Sequence, residues 1–155
     1  RRMLVTLLLA QGEIDAAAAL AEEAALTGSS TAHLMLAHVR MRQGLYPDAL
    51  GELRKSLELD PYLEVAWAPY LHLLFVMGDP AFVTELDRAR AALPDAVTVV
   101  AMRGVERAAR GAFIDARPLL DEAMARDPRQ ALVHHYLGLG AMASQDVTRA
   151  EDEFR

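Results

Sequence analysis

Four glycines recur along the chain at nearly constant intervals. Gly12, Gly44, Gly78 and Gly111 are separated by 32, 34 and 33 residues, and a further step of 34 reaches Gln145. Each glycine lies between two segments whose apolar residues are three and four apart, which is the spacing of an α-helix. Glycine also adopts the left-handed conformation of a tight turn at low energetic cost. The interval therefore predicts a repeated unit of two helices joined by a turn.

The second helix of each unit carries small and apolar residues on one face. Ala49, Ala116 and Ala150 are expected at tight contacts between helices. The face is formed by Ala17, Ala21 and Ala24, by Ala49, Leu53 and Ser56, and by Ala116, Leu120 and Ala123. Alternation of apolar and polar residues with a period of two is absent, so the fold is predicted to be all-α.

Aspartate and proline occur together where the second helices should end. Proline cannot continue a helix but can open the next one, and aspartate can cap it by accepting a free backbone N–H. Ser29 is expected to cap a helix in the same way. The pairs are Asp60-Pro61, Pro94-Asp95 and Asp127-Pro128, and Asp79-Pro80 is expected to open the second helix of the third unit.

Three residues depart from a regular helical pattern. Pro69 lies within the first helix of the third unit, where it either kinks the helix at a cost of about 3 kcal/mol or belongs to the first turn of a helix that begins late. Arg103 and Arg107 lie on the face of the fourth unit that should be buried, so its first helix is expected to be rotated or exposed.

The repeat resembles the tetratricopeptide pattern of a bulky residue, a Leu-Gly pair, an alanine and a closing proline. Trp67 fills the bulky position of the third unit, whereas Leu71 and Phe82 replace its small residues and should hold its two helices farther apart. The matching residues are His134, Leu137, Gly138, Ala150 and Phe154 in one unit, and Gly44, Tyr46, Ala49, Leu53 and Pro61 in another. The resemblance implies a right-handed superhelix of about nine antiparallel helices, in units 1–29, 30–61, 62–94, 95–128 and 129–155.

The resemblance also implies a function. Tetratricopeptide arrays present the first helices of their units along a concave groove that holds a peptide or a helix of a partner. Methionines should give this groove an adaptable apolar surface, with Phe75 and Tyr136 as anchors. For Val76, Leu139 and also Val105 of the fourth unit, which is directed into the same groove, a place in the core between helices is an equal alternative. The predicted groove residues are Met35, His38, Met41, Arg42, His72, Phe75, Val76, Met102, His135, Tyr136, Leu139 and Met142.

Composition removes several other functions. A net charge of −6 with interspersed charges argues against nucleic acid, and no apolar run reaches the length of a membrane span. The absence of cysteine removes thiolate chemistry, and neither His33 with His38 nor His134 with His135 has the spacing of helical metal ligands. The sequence therefore predicts no catalysis, no metal and no cofactor. Cytosol is favoured over periplasm, and the excess of arginine over lysine favours a bacterial source.

Two alternatives to a free-standing scaffold stay open. The repeats could be an accessory, substrate-presenting or regulatory region of a larger enzyme or signalling protein, or they could drive self-assembly. Both ends of the chain fall within helical patterns, so a fragment is expected, with apolar surface at Leu4 to Leu9 and at Phe154. Missing chain, another domain or a second copy should cover that surface.

Overall fold

The computed structural model describes residues 1–143 and residue 154. Within these residues the chain forms nine α-helices and no strand, which confirms the all-α helical-repeat class. The chain divides into two compact units, Arg1–Glu85 and Leu86–Arg155. They are called unit 1 and unit 2 below, and each is larger than a single two-helix repeat. The helices are α1 (Arg2–Gln11), α2 (Ile14–Ala25), α3 (Ser30–Arg42), α4 (Tyr46–Leu59), α5 (Glu64–Val76), α6 (Phe82–Ala92), α7 (Val97–Ala109), α8 (Phe113–Arg126) and α9 (Ala131–Ala143).

The four predicted glycine turns are confirmed. Gly12, Gly44, Gly78 and Gly111 have φ angles between 65° and 80°. In each turn, the N–H after the glycine bonds to a carbonyl five residues back, as when Leu45 donates to Arg40 at 2.9 Å. This bond satisfies a carbonyl that the helix end would otherwise leave free. The predicted turn at Gln145 and the predicted contact of Ala150 lie outside the described residues.

Unit 1 is built from helices that pack on their neighbours along the chain. Extensive contacts join α1 with α2 and α3, α2 with α3, α3 with α4, and α4 with α5. Alanines at positions 17, 21 and 49 are fully buried, and their small size lets these helices approach closely. In α5, Trp67 and Tyr70 are fully buried, and Trp67 Nε1 donates to the Pro61 carbonyl at 2.8 Å.

Pro69 lies inside α5, five residues after the helix begins at Glu64. The interpretation of a late helix start is therefore wrong. Proline lacks the N–H that would bond to the carbonyl of Val65, so the first turn of α5 loses one hydrogen bond. Pro118 occupies a similar place inside α8, which begins at Phe113.

Of the helix caps predicted from the sequence, Ser29 is confirmed, whereas Asp60 and Asp127 do not cap a helix. The side chain of Ser29 accepts the N–H of Ala32 at 3.2 Å. Asp60 and Asp127 instead accept the N–H two residues later, at 3.0 and 3.1 Å, and the helices that follow begin only at Glu64 and Ala131. These two carboxylates close short turns before the helices rather than capping them.

Unit 2 contains one very close helix contact. A Cβ atom on Gly104 would lie 2.7 Å from Leu120 Cδ2, so α7 and α8 approach each other where a side chain is absent. Ala116 is fully buried in the same hairpin. Arg103 and Arg107 are half-buried, and Arg107 Nη1 donates to the Asp115 carbonyl at 3.4 Å.

Candidate partner-binding surface

Unit 1 contains a cavity of about 280 Å³ between α1, α3 and the start of α5. The apolar part of its wall includes Leu9 from α1, Met35 from α3 and Val65 from α5. Val65 is 62% exposed and stands at the edge of the cavity. The complete lining is Arg2, Val5, Thr6, Leu9, Thr31, Leu34, Met35, His38, Leu63 and Val65.

A second cavity of about 370 Å³ adjoins the first, since Arg2, Thr31 and Met35 line both. The two cavities together follow α1 and α3, which are the first helices of successive hairpins. The sequence analysis expected the first helices of the hairpins to line the groove. The surface formed by both cavities is called the α1–α3 groove below.

The repeat interval explains why these residues meet. Thr6, His38 and His72 are 32 and 34 residues apart, so they hold the same position in α1, α3 and α5. Thr31 and Val65 are likewise 34 apart. His38 and Met35 were predicted from the sequence. The residues of α1 that line the cavity were missed, because the repeat positions of α3 were not transferred to α1.

His38 is the titratable group in the cavity wall with an altered pKa. The side chain is exposed, but partial burial of its ring lowers its pKa below the ordinary histidine value. Desolvation disfavours the imidazolium form. The neutral ring is therefore favoured at neutral pH, where one nitrogen donates a hydrogen bond and the other accepts one.

The predicted groove residues fall into three classes of exposure within their own units. The exposed ones are His38, Arg42, His72, Val76, His135 and Met142. Met41, Phe75, Tyr136 and Leu139 are half-buried, whereas Met35 and Met102 are buried. Met35 still forms part of both cavity walls, so burial leaves it in contact with the groove.

The two predicted anchors both make ring contacts. Phe75 meets Phe82 edge to face, with ring centroids 5.2 Å apart. In unit 2, Tyr136 meets His135 edge to face at 5.3 Å, and burial raises the pKa of the Tyr136 hydroxyl. Such contacts hold aromatic rings in place at the protein surface.

Unit 2 has a smaller cavity of about 110 Å³ between α8 and α9. Tyr136 forms part of its wall, and Ile114 beside it is 91% exposed. On another part of α9, the ring of Phe154 lies against Gly138, where a Cβ atom would be 2.7 Å from Phe154 Cζ. Phe154 is nevertheless 47% exposed.

The apolar surface predicted from Leu4 to Leu9 is present only in part. Met3, Leu4 and Leu7 in α1 are 85%, 50% and 52% exposed, although Val5 between them is buried. These three side chains form an apolar face of α1 that no described residue covers fully. Leu8 and Leu9 are half-buried.

One polar cluster in unit 1 was missed by sequence reasoning. His33 Nδ1 lies 2.6 Å from Glu52 Oε2, and Lys55 donates to the other oxygen of Glu52 at 2.8 Å. Burial would raise the pKa of Glu52, but the hydrogen bonds and charges of Lys55 and His33 outweigh it and lower that pKa. The signal in the sequence was a polar residue at an inward position of both α3 and α4.

Among residues 1–143 and 154, no group of three or more histidines and carboxylates is placed to hold a metal ion. None of the described helices is both long and apolar enough to span a bilayer.

The geometry defines a class of protein, the α-helical repeat proteins, in which paired helices stack on their neighbours. Comparison with known families finds a match for part of the chain. Residues 2–64, fewer than half of the 155 residues, match the family model described as tetratricopeptide repeat. Members of that family are generally non-catalytic interaction proteins.

Solved structures show the same fold at low sequence identity. MamA from Desulfovibrio magneticus RS-1 is 18% identical, with a TM-score of 0.73 over 99% of this chain and 88% of that one. TTC0263 from Thermus thermophilus is 19% identical, with a TM-score of 0.70 over 97% and 84%. YrrB, described as a tetratricopeptide protein with an unusual peptide-binding site, is 18% identical, with a TM-score of 0.67 over 96% and 78%. No curated protein matches the sequence.

Proposed function

We propose that this protein is a non-catalytic scaffold that binds a peptide or a helix of a partner protein in the α1–α3 groove. The observation that carries the proposal is the cavity of about 280 Å³, whose wall includes Met35 and His38, two residues that the repeat pattern assigned to ligand binding. Ligand sites are typically concave and mostly apolar, with a few polar groups that orient the ligand.

The similarity to YrrB supports the same proposal. That protein is described as having an unusual peptide-binding site, and it shares the repeat fold over 96% of this chain. Here the proposed occupant is an apolar segment, because Leu9, Leu34, Met35 and Val65 all line the cavity. The methionine adds a flexible, polarisable surface that adapts to different side chains.

The test blocks the cavity without disturbing the core. Val65→Arg places a bulky side chain at an exposed position of the cavity wall. The matched control is Val83→Arg in α6, which is 43% exposed and does not line the cavity. Proteins from a lysate of the source organism are captured by the parent and by both variants, and are quantified by mass spectrometry.

The partner should be captured by the parent and by Val83→Arg, and lost with Val65→Arg. Equal melting temperatures of the two variants would show that the loss is not caused by unfolding. A partner that both variants retain binds elsewhere. In that case, Phe75→Ala combined with Tyr136→Ala tests the predicted anchors, and unchanged affinity would exclude them as well.

Self-association is a second candidate, and the exposed apolar face of α1 favours it. Burying Met3, Leu4 and Leu7 against a second copy would remove apolar surface from water. Light scattering over a concentration series should then show a mass that rises with concentration. The double change Leu4→Glu and Leu7→Glu should abolish that rise, whereas a constant monomer mass for the parent would exclude this function.

A further inference from the structure

Three large apolar side chains are exposed where the second helices of unit 1 end. Leu26 follows the last residue of α2, Leu59 is the last residue of α4, and Tyr62 lies in the turn before α5. They are 87%, 54% and 70% exposed, respectively. None of the three lines either cavity of the α1–α3 groove. They are therefore apolar surface outside the ligand site proposed above.

A hydrogen bond brings the ends of α2 and α4 to the same edge of unit 1. Ser30, the first residue of α3, donates to the carbonyl of Ser56 in the last turn of α4 at 2.9 Å. Leu26 precedes Ser30 by four residues, and Leu59 follows Ser56 by three. The two leucines are also 33 residues apart, so they hold the same position in successive repeats. The two exposed leucines therefore lie along one edge.

The turn that carries Tyr62 is held by hydrogen bonds. Asp60 accepts the N–H of Tyr62 through its side chain at 3.0 Å and the N–H of Leu63 through its carbonyl at 3.3 Å. The buried Trp67 donates its indole N–H to the carbonyl of Pro61 at 2.8 Å. A turn that is already ordered loses little conformational entropy when a partner covers it. Aromatic side chains in such positions commonly anchor protein interfaces.

Carboxylates flank these apolar side chains. Residues 56–65 contain three acidic residues and no lysine, arginine or histidine. Glu58 and Glu64 are exposed, and within residues 1–143 and 154 neither of them forms an ion pair. Glu58 lies next to Leu59 in the sequence, and Glu64 lies two residues after Tyr62. The edge therefore combines apolar side chains with negative charge that no described base neutralises.

The bases nearest to Glu58 in the sequence contact other residues. Lys55 donates to Glu52 at 2.8 Å, and Arg54 donates to the hydroxyl of Tyr70 at 3.3 Å. Unit 1 contains eleven acidic residues against six lysines and arginines, so its net charge is −5. Nucleic acid and anionic lipid would be repelled by this charge, whereas a basic segment would be attracted.

We propose that these residues form a second docking surface, which binds a basic-apolar segment of a partner protein. Apolar side chains of the partner cover Leu26, Leu59 and Tyr62, and a neighbouring lysine or arginine pairs with Glu58 or Glu64. The ring of Tyr62 also attracts a cation that lies over its face. This surface is called the Tyr62 edge below. It shares no residue with the α1–α3 groove, so it does not depend on the function proposed there.

The test begins with a library of random peptides displayed on phage. Peptides are first depleted on the double variant Leu59→Ser with Tyr62→Ser, which removes those that bind the α1–α3 groove, and are then selected on the parent protein. Both changed residues are exposed, and equal melting temperatures of parent and variant would show that the variant is folded. The selected peptides should be enriched in lysine or arginine within one helical turn of a large apolar residue.

The affinity of one selected peptide is then measured for variants that lack acidic charge. Glu58→Gln combined with Glu64→Gln should weaken binding about three- to tenfold, because each ion pair at a surface contributes modestly. The control is Glu13→Gln combined with Asp48→Asn, which also removes two exposed carboxylates. These control residues lie where α2 and α4 begin, at the opposite ends of the same helices, so their change should leave the affinity unaltered.

A matching change in the peptide tests whether its base meets these carboxylates. Replacing the basic residues of the peptide by glutamine should weaken binding to the parent by a similar factor. The same replacement should have little effect on binding to the Glu58→Gln, Glu64→Gln variant, because the pair is already broken there. Equal losses for both proteins would show that the base contacts another site and would overturn the inference.

Three further results would overturn it. If no peptide distinguishes the parent from the serine variant, the Tyr62 edge is not a docking surface. If the selected peptides carry no base, or bind the glutamine variant as tightly as the parent, the partner is not basic. If the parent self-associates in light scattering and the serine variant does not, a second copy covers this edge. None of these results bears on the α1–α3 groove, which Val65→Arg tests separately.

Discussion

The hairpins α3–α4 and α7–α8 share a glycine turn but differ in the chemistry of their interface. In α3–α4, Ser56 donates to the Ser30 carbonyl at 2.8 Å, and Ser30 donates in return to the Ser56 carbonyl at 2.9 Å. In α7–α8, Gly104 instead lets Leu120 approach the backbone directly. The repeat thus determines the turn and the pairing of helices, while the contacts between them can include a buried serine pair or a close approach of glycine and leucine.

The largest effect is expected where α7 meets α8. Gly104→Leu should lower the free energy of unfolding by about 3 kcal/mol, because the new side chain would overlap Leu120, which is only 2% exposed. Urea unfolding followed by circular dichroism measures the change. Gly51→Leu is the matched control, since a Cβ atom there meets no atom within 4 Å. Equal stability of the two variants would refute the close approach.

The next effect concerns the serine pair of α3–α4. Ser56→Ala should cost about 1 to 2 kcal/mol, because the buried hydroxyl and its hydrogen bond to Ser30 are lost. The double variant with Ser30→Ala should cost less than the sum of the single changes, because the two hydroxyls are 3.1 Å apart. Additive costs in this double-mutant cycle would show that the two serines act independently.

A smaller effect concerns how the unfolding free energy depends on pH, through Glu52 in the α3–α4 hairpin. The pKa of Glu52 is lower in the folded protein, so the unfolded chain takes up the proton first as the pH falls. The contribution of Glu52 is therefore present above the ordinary glutamate pKa of about 4.3 and is lost as the pH falls through the folded pKa. Glu52→Gln should flatten the decline of unfolding free energy below that pH.

Glu58→Gln in the same helix is the control for that pH series. If Glu58→Gln flattens the acid decline as much as Glu52→Gln does, the contacts of Glu52 with His33 and Lys55 are not its cause. The expected difference is roughly 1 kcal/mol or less, because the cluster lies near the surface.

The smallest effect is a gain. Gly51→Ala should raise the free energy of unfolding by about 0.5 kcal/mol, because alanine is a better helix former and its methyl group meets no atom within 4 Å. Gly104→Ala has the same gain in helix propensity but overlaps Leu120. A more stable Gly104→Ala than Gly51→Ala in thermal unfolding would remove the contrast between the two hairpins.

Local conformational cost explains which parts of the fold were predictable. The glycine turns were predicted because glycine adopts the left-handed backbone conformation at low energetic cost. The Ser29 cap was predicted because a serine side chain readily accepts a free N–H at the start of a helix. The sequence left two interpretations of Pro69 open. Pro69 lies inside α5 because packing of the buried Trp67 and Tyr70 stabilises the helix despite the lost hydrogen bond. Stabilisation by such packing cannot be read from a local pattern.

The candidate surface was only partly predictable for a related reason. The repeat phase identified His38 and Met35 on the cavity wall, but it could not give the depth to which each side chain is buried. The contact between His33 and Glu52 joins residues 19 apart, and it depends on how the two helices face each other. Spacing within one helix carries no such information.

The neighbour-on-neighbour packing of the helices has a consequence for how the chain folds. Helices in extensive contact are adjacent or next but one along the sequence. Contacts of this kind close only short loops, so little chain entropy is lost before they form, and low contact order gives fast folding. During synthesis, α1, α2 and α3 can therefore pack before α7 has left the ribosome, so most of the wall of the α1–α3 groove can form without the rest of the chain.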